Sequence, residues 1–316
     1  MLIHRTTHNV CHHTRTIRHN IQPNLAKRSY TTALTRKVST SITNALSLSP
    51  PSSPIDFHKA QSQHDAYVNV LKDSVGLKTI EIPADEAHPD CVFIEDTAVI
   101  ISGVAVINKI GAESREGEVD AVKDAILNLG LVVHDMREDG YGATLDGGDV
   151  LYPVRYREVK TSTSSVLPTE KVGGENLFIG ISSRTNMKGF EYLKEKFPNV
   201  TVIPVDITNL GSLHLKSIVT HIDEKSLLVP KGSLGNEIIR AMNVKERGYN
   251  IIELKDLATC NVVTINGNVL AQPTKCEETK EVLESAVKDR GLNLIWVDAS
   301  EFAKVDGALT CKSILL

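Results

Sequence analysis

The chain has 316 residues, 41% hydrophobic and 23% charged. That composition is ordinary for a globular protein and excludes a disordered or fibrous one. Thirty-five basic against thirty-nine acidic residues give a net charge of −4, which excludes a globally basic nucleic-acid binder. No apolar run approaches the ~20 residues of a membrane span, so neither nucleic acid nor membrane is an expected partner.

The charge is unevenly spread. No Asp or Glu precedes Asp56, yet Arg5, Arg15, Arg18, Lys27, Arg28, Arg36 and Lys37 do. An Arg- and Ser/Thr-rich, acid-free N-terminus with no continuous apolar core reads as an organelle transit peptide over residues 1–30. A mitochondrial matrix address is the expectation, with a disordered basic tail of a cytoplasmic protein as the other reading. Arg28-Ser29-Tyr30-Thr31 has the form of a matrix-peptidase site, and cleavage after Tyr30 would leave 30 basic and 39 acidic residues, a net −9. His8, Cys11, His12 and His13 have the look of a metal cluster but fall in this segment. The five cysteines are an odd number with no CxxC, which fits isolated thiols better than disulfides or a structural zinc site.

Past the leader, residues 32–38 read as a lone strand and 57–75 as a helix stopped by Gly76, followed by a strand at 78–83. The same helix–stop–strand unit recurs four more times. Its helices span 116–129, 189–197, 234–247 and 279–290, and its strands 131–136, 200–205, 250–254 and 292–297. Gly130, Pro198, Gly248 and Gly291 supply the stops. Strand–turn–strand patterns lie between the units: 91–101 with 104–108, 149–154 with 176–181, 217–221 with 226–229, and 261–265 with 268–271. Asn266-Gly267 between two apolar runs is a strong hairpin signal. The last strand, 312–316, has no hairpin partner, and 32–38 would complete it by closing a ring. Repeats about 40–70 residues apart predict a five-bladed α/β propeller of ββαβ units. A doubly wound sheet would need single strands alternating with helices. Residues 156–175, rich in Thr, Ser and Gly, read as an exposed loop insertion.

Chemistry in such a ring comes from distant sequence positions. Asp90-Cys-Val-Phe-Ile-Glu95-Asp96 reads as an apolar strand ending in two acids on opposite faces. Asp146-Gly-Gly-Asp149 has paired glycines for close backbone approach or a turn, and no phosphate loop is present. His214 in Leu213-His-Leu215 and Cys311 in Leu309-Thr-Cys311 each read alone as core positions of strands. Together Cys, His and acid make an activated-nucleophile set. The acids beyond that set imply a cationic substrate, and a guanidinium matches carboxylates in bidentate geometry. Arg115 and Arg184 are candidates to hold a substrate carboxylate or, alternatively, solvated surface residues.

These motifs resemble one family, the dimethylarginine dimethylaminohydrolases of the guanidine-modifying (pentein) superfamily. The residues carrying the likeness are Pro83-Ala-Asp-Glu86, Pro89-Asp-Cys-Val-Phe-Ile-Glu-Asp96, Ala143-Thr-Leu-Asp-Gly-Gly-Asp-Val-Leu151, Ser183-Arg-Thr-Asn186, Leu213-His-Leu-Lys-Ser217 and Val305-Asp-Gly-Ala-Leu-Thr-Cys311. They run from about residue 30 to the C-terminus. The resemblance implies the five-bladed propeller as a single catalytic domain over 31–316. It implies Cys311 as nucleophile, His214 as general acid/base and Asp146 as the acid orienting it. Asp90, Glu95 and Asp96 become substrate-binding acids, Arg115 and Arg184 the clamp on the substrate carboxylate. Val305 and Leu46 become substrate contacts, Leu46 on a flexible lid.

The implied reaction hydrolyses asymmetric dimethylarginine or monomethylarginine to citrulline and the methylated amine, through a thiouronium on Cys311. No cofactor or metal is expected, only a small-molecule substrate, in a monomer or homodimer. Zinc bridging Cys311 and His214 would inhibit. Arginine deimination, a non-catalytic propeller used for binding and a zinc hydrolase are the competing readings.

Overall fold

A computed structural model describes residues 30–51, 53–153 and 176–316. The transit-peptide reading of residues 1–30 therefore rests on a segment that lies, apart from Tyr30, outside the described residues, as does the 156–175 insertion.

Among the described residues fifteen strands form five three-stranded sheets. In the second sheet Ala98–Ile101 pairs antiparallel with Val104–Ile107, which pairs parallel with Val132–Asp135. The helix Val119–Leu127 makes the crossover between the two parallel strands. The same order holds for Val150–Leu151, Asn176–Ile181 and Thr201–Asp206, for Thr220–Asp223, Ser226–Pro230 and Asn250–Leu254, and for Val262–Ile265, Asn268–Ala271 and Asn293–Trp296. Antiparallel neighbours need only a tight turn, whereas parallel neighbours need a long crossover, so one ββαβ unit repeats. The remaining sheet is built from both ends of the chain. Ile314–Leu315 pairs antiparallel with Thr32–Arg36, which pairs parallel with Lys78–Ile82. The expected ring closure is thus present, and the five sheets are the blades of an α/β propeller.

Local chemistry accounts for the punctuation. Asn266 and Gly267 both have positive φ, 47° and 82°, the backbone of the tight hairpin turn that matches strand twist. The helices Phe57–Asn69, Met187–Lys196, Ser233–Ala241 and Glu277–Asp289 fall within about three residues of their expected starts. The first ends in a widened turn at Val70–Ser74, and the helix expected over 234–247 stops earlier, at Ala241, before a run of turns. Five apolar clusters fill the spaces between and beside the blades. One packs Phe178, Leu227, Val229 and Ile238, and another Leu34, Ile107, Val122 and Ile126.

Four expected strands start later than their sequence pattern, each after a 3-10 turn that takes up residues of that pattern. The strand expected from 149 starts at Val150, after Gly147–Asp149. The strand expected from residue 91 starts at Ala98, after the turn Ile94–Thr97. The strand expected from 217 starts at Thr220, after Leu215–Ser217. The strand expected from 312 starts at Ile314, after Thr310–Lys312. Each turn carries or directly follows a candidate site residue.

Lys312 is a costly residue to bury. It is fully buried, with its ammonium 4.3 Å from the Tyr67 ring centroid and 4.9 Å from that of Phe302. Among the described residues it has no hydrogen-bond partner, and burial pushes its pKa down to about 7. Cation–π contact returns about 2 kcal/mol, less than the several kcal/mol of desolvating the charge. Below a pH of about 7 the folded protein carries this penalty in full, and it fades as pH rises toward the unfolded pKa of 10.5. Replacing Lys312 by Met should therefore raise Tm by about 3–6 °C near pH 6. The gain should shrink near pH 10, as read by calorimetry at both pH values; a lower Tm at pH 6 would show that the ammonium stabilises the core.

Candidate active site

Cys311, His214, Asp96, Asp90, Arg115, Arg184, Val305 and Leu46 line one small cavity of about 60 Å³. The 3-10 turns explain how they meet. His214 has extended backbone and is the residue from which the turn Leu215–Ser217 starts. Cys311 sits inside the turn Thr310–Lys312, not in a strand as its apolar neighbours suggest.

The imidazole is held from two sides. Its Nε2 is 3.0 Å from Asp146 Oδ2, whose other oxygen accepts from Gly111 N–H at 2.7 Å. This leaves Nδ1 as the ring nitrogen available to a reacting group. Gly148 lies under the ring: a Cβ there would come within 2.6 Å of Nδ1. The paired glycines therefore serve close approach to the histidine.

Asp96 Oδ1 accepts from Gly148 N–H at 2.9 Å and lies 4.0 Å from His214 Nε2, while Oδ2 accepts from Arg115 Nη1 at 2.8 Å. Burial opposes its ionisation, but His214 and Arg115 outweigh burial and hold its carboxyl below the usual range. The reciprocal holds for His214. Burial disfavours its charge, yet Asp96, Asp146 and Asp149 keep it protonated well above its ordinary value. Cys311 moves the other way. Burial, then the fields of Glu95 and Asp96, push its thiol up to about 12.

The two acids at 95 and 96 divide differently from expectation. In a 3-10 turn successive side chains point about 120° apart. Asp96 faces the site cavity, but Glu95 pairs with Lys216 and lines a second cavity of about 150 Å³ with Gly147, Thr220, His221 and Thr310. Glu95 is therefore not among the residues lining the cavity of Cys311. Asp146 is fully buried behind His214 and also stays out of that lining.

The two arginines are also unequal. Arg115 is buried and largely saturated: Nε and Nη2 reach Glu118 at 3.0 and 2.9 Å, and Nη2 also reaches Phe93 O. Among the described residues no hydrogen bond or ion pair engages the Arg184 guanidinium, which is half-buried at the cavity wall. Asp90 receives Leu46 N–H at 3.1 and 3.2 Å, and burial raises its pKa against the pull of Arg115.

Asp149 is the supporting residue that sequence reasoning missed as a site member. It is fully buried, accepts from Leu215 N–H at 2.9 Å and receives the Ser182 and Thr185 hydroxyls at 2.7 Å each. Thr185 in turn accepts from Asp146 N–H at 3.1 Å. Burial lifts the Asp149 pKa to about 6. Its signal was the second acid of Asp146-Gly-Gly-Asp149.

Asp96, Asp146 and His214 bring three ligand-type atoms within 4.8 Å of one another, and no such group among the described residues includes Cys311. Both carboxylates already accept bonds on both oxygens, so the trio is a satisfied hydrogen-bond network. No helix among the described residues is long and apolar enough to cross a membrane.

The model of the family described as N,N dimethylarginine dimethylhydrolase, eukaryotic, matches residues 32–293. A Streptomyces coelicolor protein named N(G),N(G)-dimethylarginine dimethylaminohydrolase is 32% identical over 90% of this chain and 96% of its own. A structure of the Pseudomonas aeruginosa dimethylarginine dimethylaminohydrolase, a cysteine-to-serine mutant complexed with citrulline, superposes with a TM-score of 0.74. It is 23% identical and covers 92% of this chain and all of its own. The product-bound N-terminal domain of a cyanobacterial arginine dihydrolase gives a TM-score of 0.69 at 16% identity, over 91% of this chain and 97% of its own. Both structures share the fold. The chain belongs to the eukaryotic N,N dimethylarginine dimethylhydrolase family, hydrolases that act on carbon–nitrogen bonds.

Proposed function

We propose that this protein hydrolyses N-methylated arginines, asymmetric dimethylarginine first, to citrulline and dimethylamine through a covalent thiouronium on Cys311. The observation carrying this reading is the convergence of a buried thiol, a carboxylate-held imidazole and Asp96 on one cavity.

A thiol pushed up to about 12 is not a resident nucleophile. A bound guanidinium changes that. It brings a positive charge against Asp96 and removes part of the field that holds the proton on sulfur. The thiol proton leaves to solvent, and the thiolate attacks the guanidinium carbon, forming the S–C bond as the C=N π pair moves onto nitrogen. His214, protonated by its carboxylates, gives a proton to the methylated nitrogen. The C–N bond breaks and dimethylamine leaves. Neutral His214 takes a proton from water as the water attacks the same carbon; the S–C bond then breaks, the hydroxyl proton of the adduct goes to sulfur, and citrulline and the resting thiol remain. The leaving proton and the water proton pass through one imidazole, which matches its single fixed orientation.

In this reading Arg184 meets the substrate carboxylate, with Arg115 beside it positioning Asp96, and Asp90 meets the substrate ammonium. Glu95 acts on the sulfur through its field. Asp146 and Asp149 are positioning residues. The acid-free residues 1–30 support a mitochondrial address, and residues 31–316 would form a single catalytic domain.

Three outcomes follow. Purified protein should release dimethylamine from asymmetric dimethylarginine, with far less ammonia from arginine; ammonia as the main product would favour the deiminase reading. Cys311→Ser should lose at least about 10³-fold in kcat yet still bind substrate by calorimetry, and retained turnover would remove Cys311 from its role. In the free enzyme, the difference in 240 nm absorbance between wild type and Cys311→Ser should show no Cys311 thiolate below a pH of about 9. A guanidinium ligand should bring that thiolate signal to lower pH, and a free-enzyme midpoint near pH 7 would contradict the account.

A further inference from the structure

Residues 39–51 cross the mouth of the site, and Leu46, Ser47 and Leu48 help to line its cavity. This strap is tied at both margins. At its start, the Ser39 hydroxyl donates to Glu86 at 2.9 Å and Thr40 N–H donates to the same carboxylate at 3.2 Å. Beyond its end, Lys304 Nζ donates to Pro54 O at 3.0 Å. Over the cavity itself two carboxylates hold it. Asp90 accepts from Leu46 N–H, and Asp306 Oδ2 accepts from Leu48 N–H at 2.6 Å.

We propose that Asp306 is a positioning residue: its carboxylate latches the strap at Leu48 and so sets how often the site opens and how long a substrate stays enclosed.

Three observations support this assignment. The first is size. A cavity of about 60 Å³ holds a few water molecules, against the ~300–1,000 Å³ of pockets that enclose small molecules. An amino acid as large as arginine enters only when the strap lifts.

The second is backbone. Asp306 has φ 58°, the left-handed region where glycine is free of strain and only Asn and Asp are otherwise common. The turn alone would be served better by glycine, which the chain places next at Gly307. The side chain at 306 therefore has its own use, and the contact it makes is with the strap.

The third is division of labour. Asp90 must exchange its bond to the strap for a substrate ammonium when substrate binds. Asp306 is exposed and its recorded bond is to Leu48 N–H, so it can hold the strap through the whole cycle. A hydrogen bond between one exposed carboxylate and one amide is weak enough to break often and strong enough to bias the closed form.

The latch is a property of the free protein, and its kinetic consequence rests on the methylarginine reading above. The test uses Asp306→Gly, which keeps the left-handed backbone and removes the acceptor, and Asp306→Asn, which keeps both. Amide hydrogen exchange at Leu48, read by NMR in the free protein, should quicken about tenfold in Asp306→Gly and stay within about twofold in Asp306→Asn. KM for asymmetric dimethylarginine should rise about fivefold in Asp306→Gly, with kcat changing less, and return in Asp306→Asn. A residue needed only for the turn would leave Asp306→Gly with wild-type exchange and KM, and that result overturns the latch. Should Asp306→Gly fold poorly, Leu48→Pro deletes the donor from the exposed strap instead; it should show the same rise in KM at unchanged Tm, and an unchanged KM there overturns the proposal equally. If no methylarginine is turned over at all, the exchange measurement still decides the latch.

Discussion

The pairing of the chain's last strand with its first described one is the constraint on which the site depends. Among the described residues Ile314–Leu315 has one ladder, with Thr32–Arg36, through Leu34 opposite Ile314 and Ala33 opposite Leu315. Cys311 lies three residues before that strand. The ring closure brings it toward His214 and Asp96, and Asn261 fixes it there, accepting from Thr310 N–H at 3.1 Å and donating to Lys216 O at 3.0 Å. Tyr67 OH and Ser313 Oγ, 2.7 Å apart, tie the same stretch to the first long helix. The first and last described strands thus share one blade, and the cost of joining them is met once, in the element that also places Cys311.

Electrostatically the site holds more acids than free cations. Asp90, Asp96, Asp146 and Asp149 are all buried, and Arg115 is shared between Asp96 and Glu118. Backbone amides carry much of the remaining load. Gly148 N–H serves Asp96, Gly111 N–H serves Asp146 and Leu215 N–H serves Asp149. Buried charges held this way are fixed in direction and cannot relax toward a new one. The acids favour the protonated imidazole, and burial together with the fields of Glu95 and Asp96 favours the protonated thiol. The same logic separates the two arginines. One is committed to the framework, and the other is left at the cavity wall.

Much of this was legible in the sequence, and the failures have a common physical form. The repeat of helix, stop and strand gave the blade count, because Gly76, Gly130, Gly248 and Gly291 take the left-handed backbone that ends a helix. Asn266-Gly267 gave its hairpin directly. The misread residues are those of the 3-10 turns. Apolar residues around Glu95, His214 and Cys311 have the composition of buried strands, and composition alone does not separate a buried strand from a buried turn. The error matters most at Glu95 and Asp96, since a strand sets neighbours 180° apart and a 3-10 turn about 120°. Asp149 escaped notice because its work is indirect: it holds the backbone after His214 and the hydroxyl that holds Asp146. Lys312 was read only as the start of the last strand, since nothing in a local pattern signals a lysine enclosed by Tyr67 and Phe302.

The central claim is that the guanidinium carbon becomes bonded to Cys311 during turnover. Rapid acid quench of the working enzyme, followed by mass spectrometry of its peptides, tests this most directly. The account predicts a substrate-derived adduct on the peptide containing Cys311, lost on longer incubation as citrulline appears. Citrulline formed at full rate with no adduct on that peptide, or with the adduct on Cys91, Cys260 or Cys276, would contradict it.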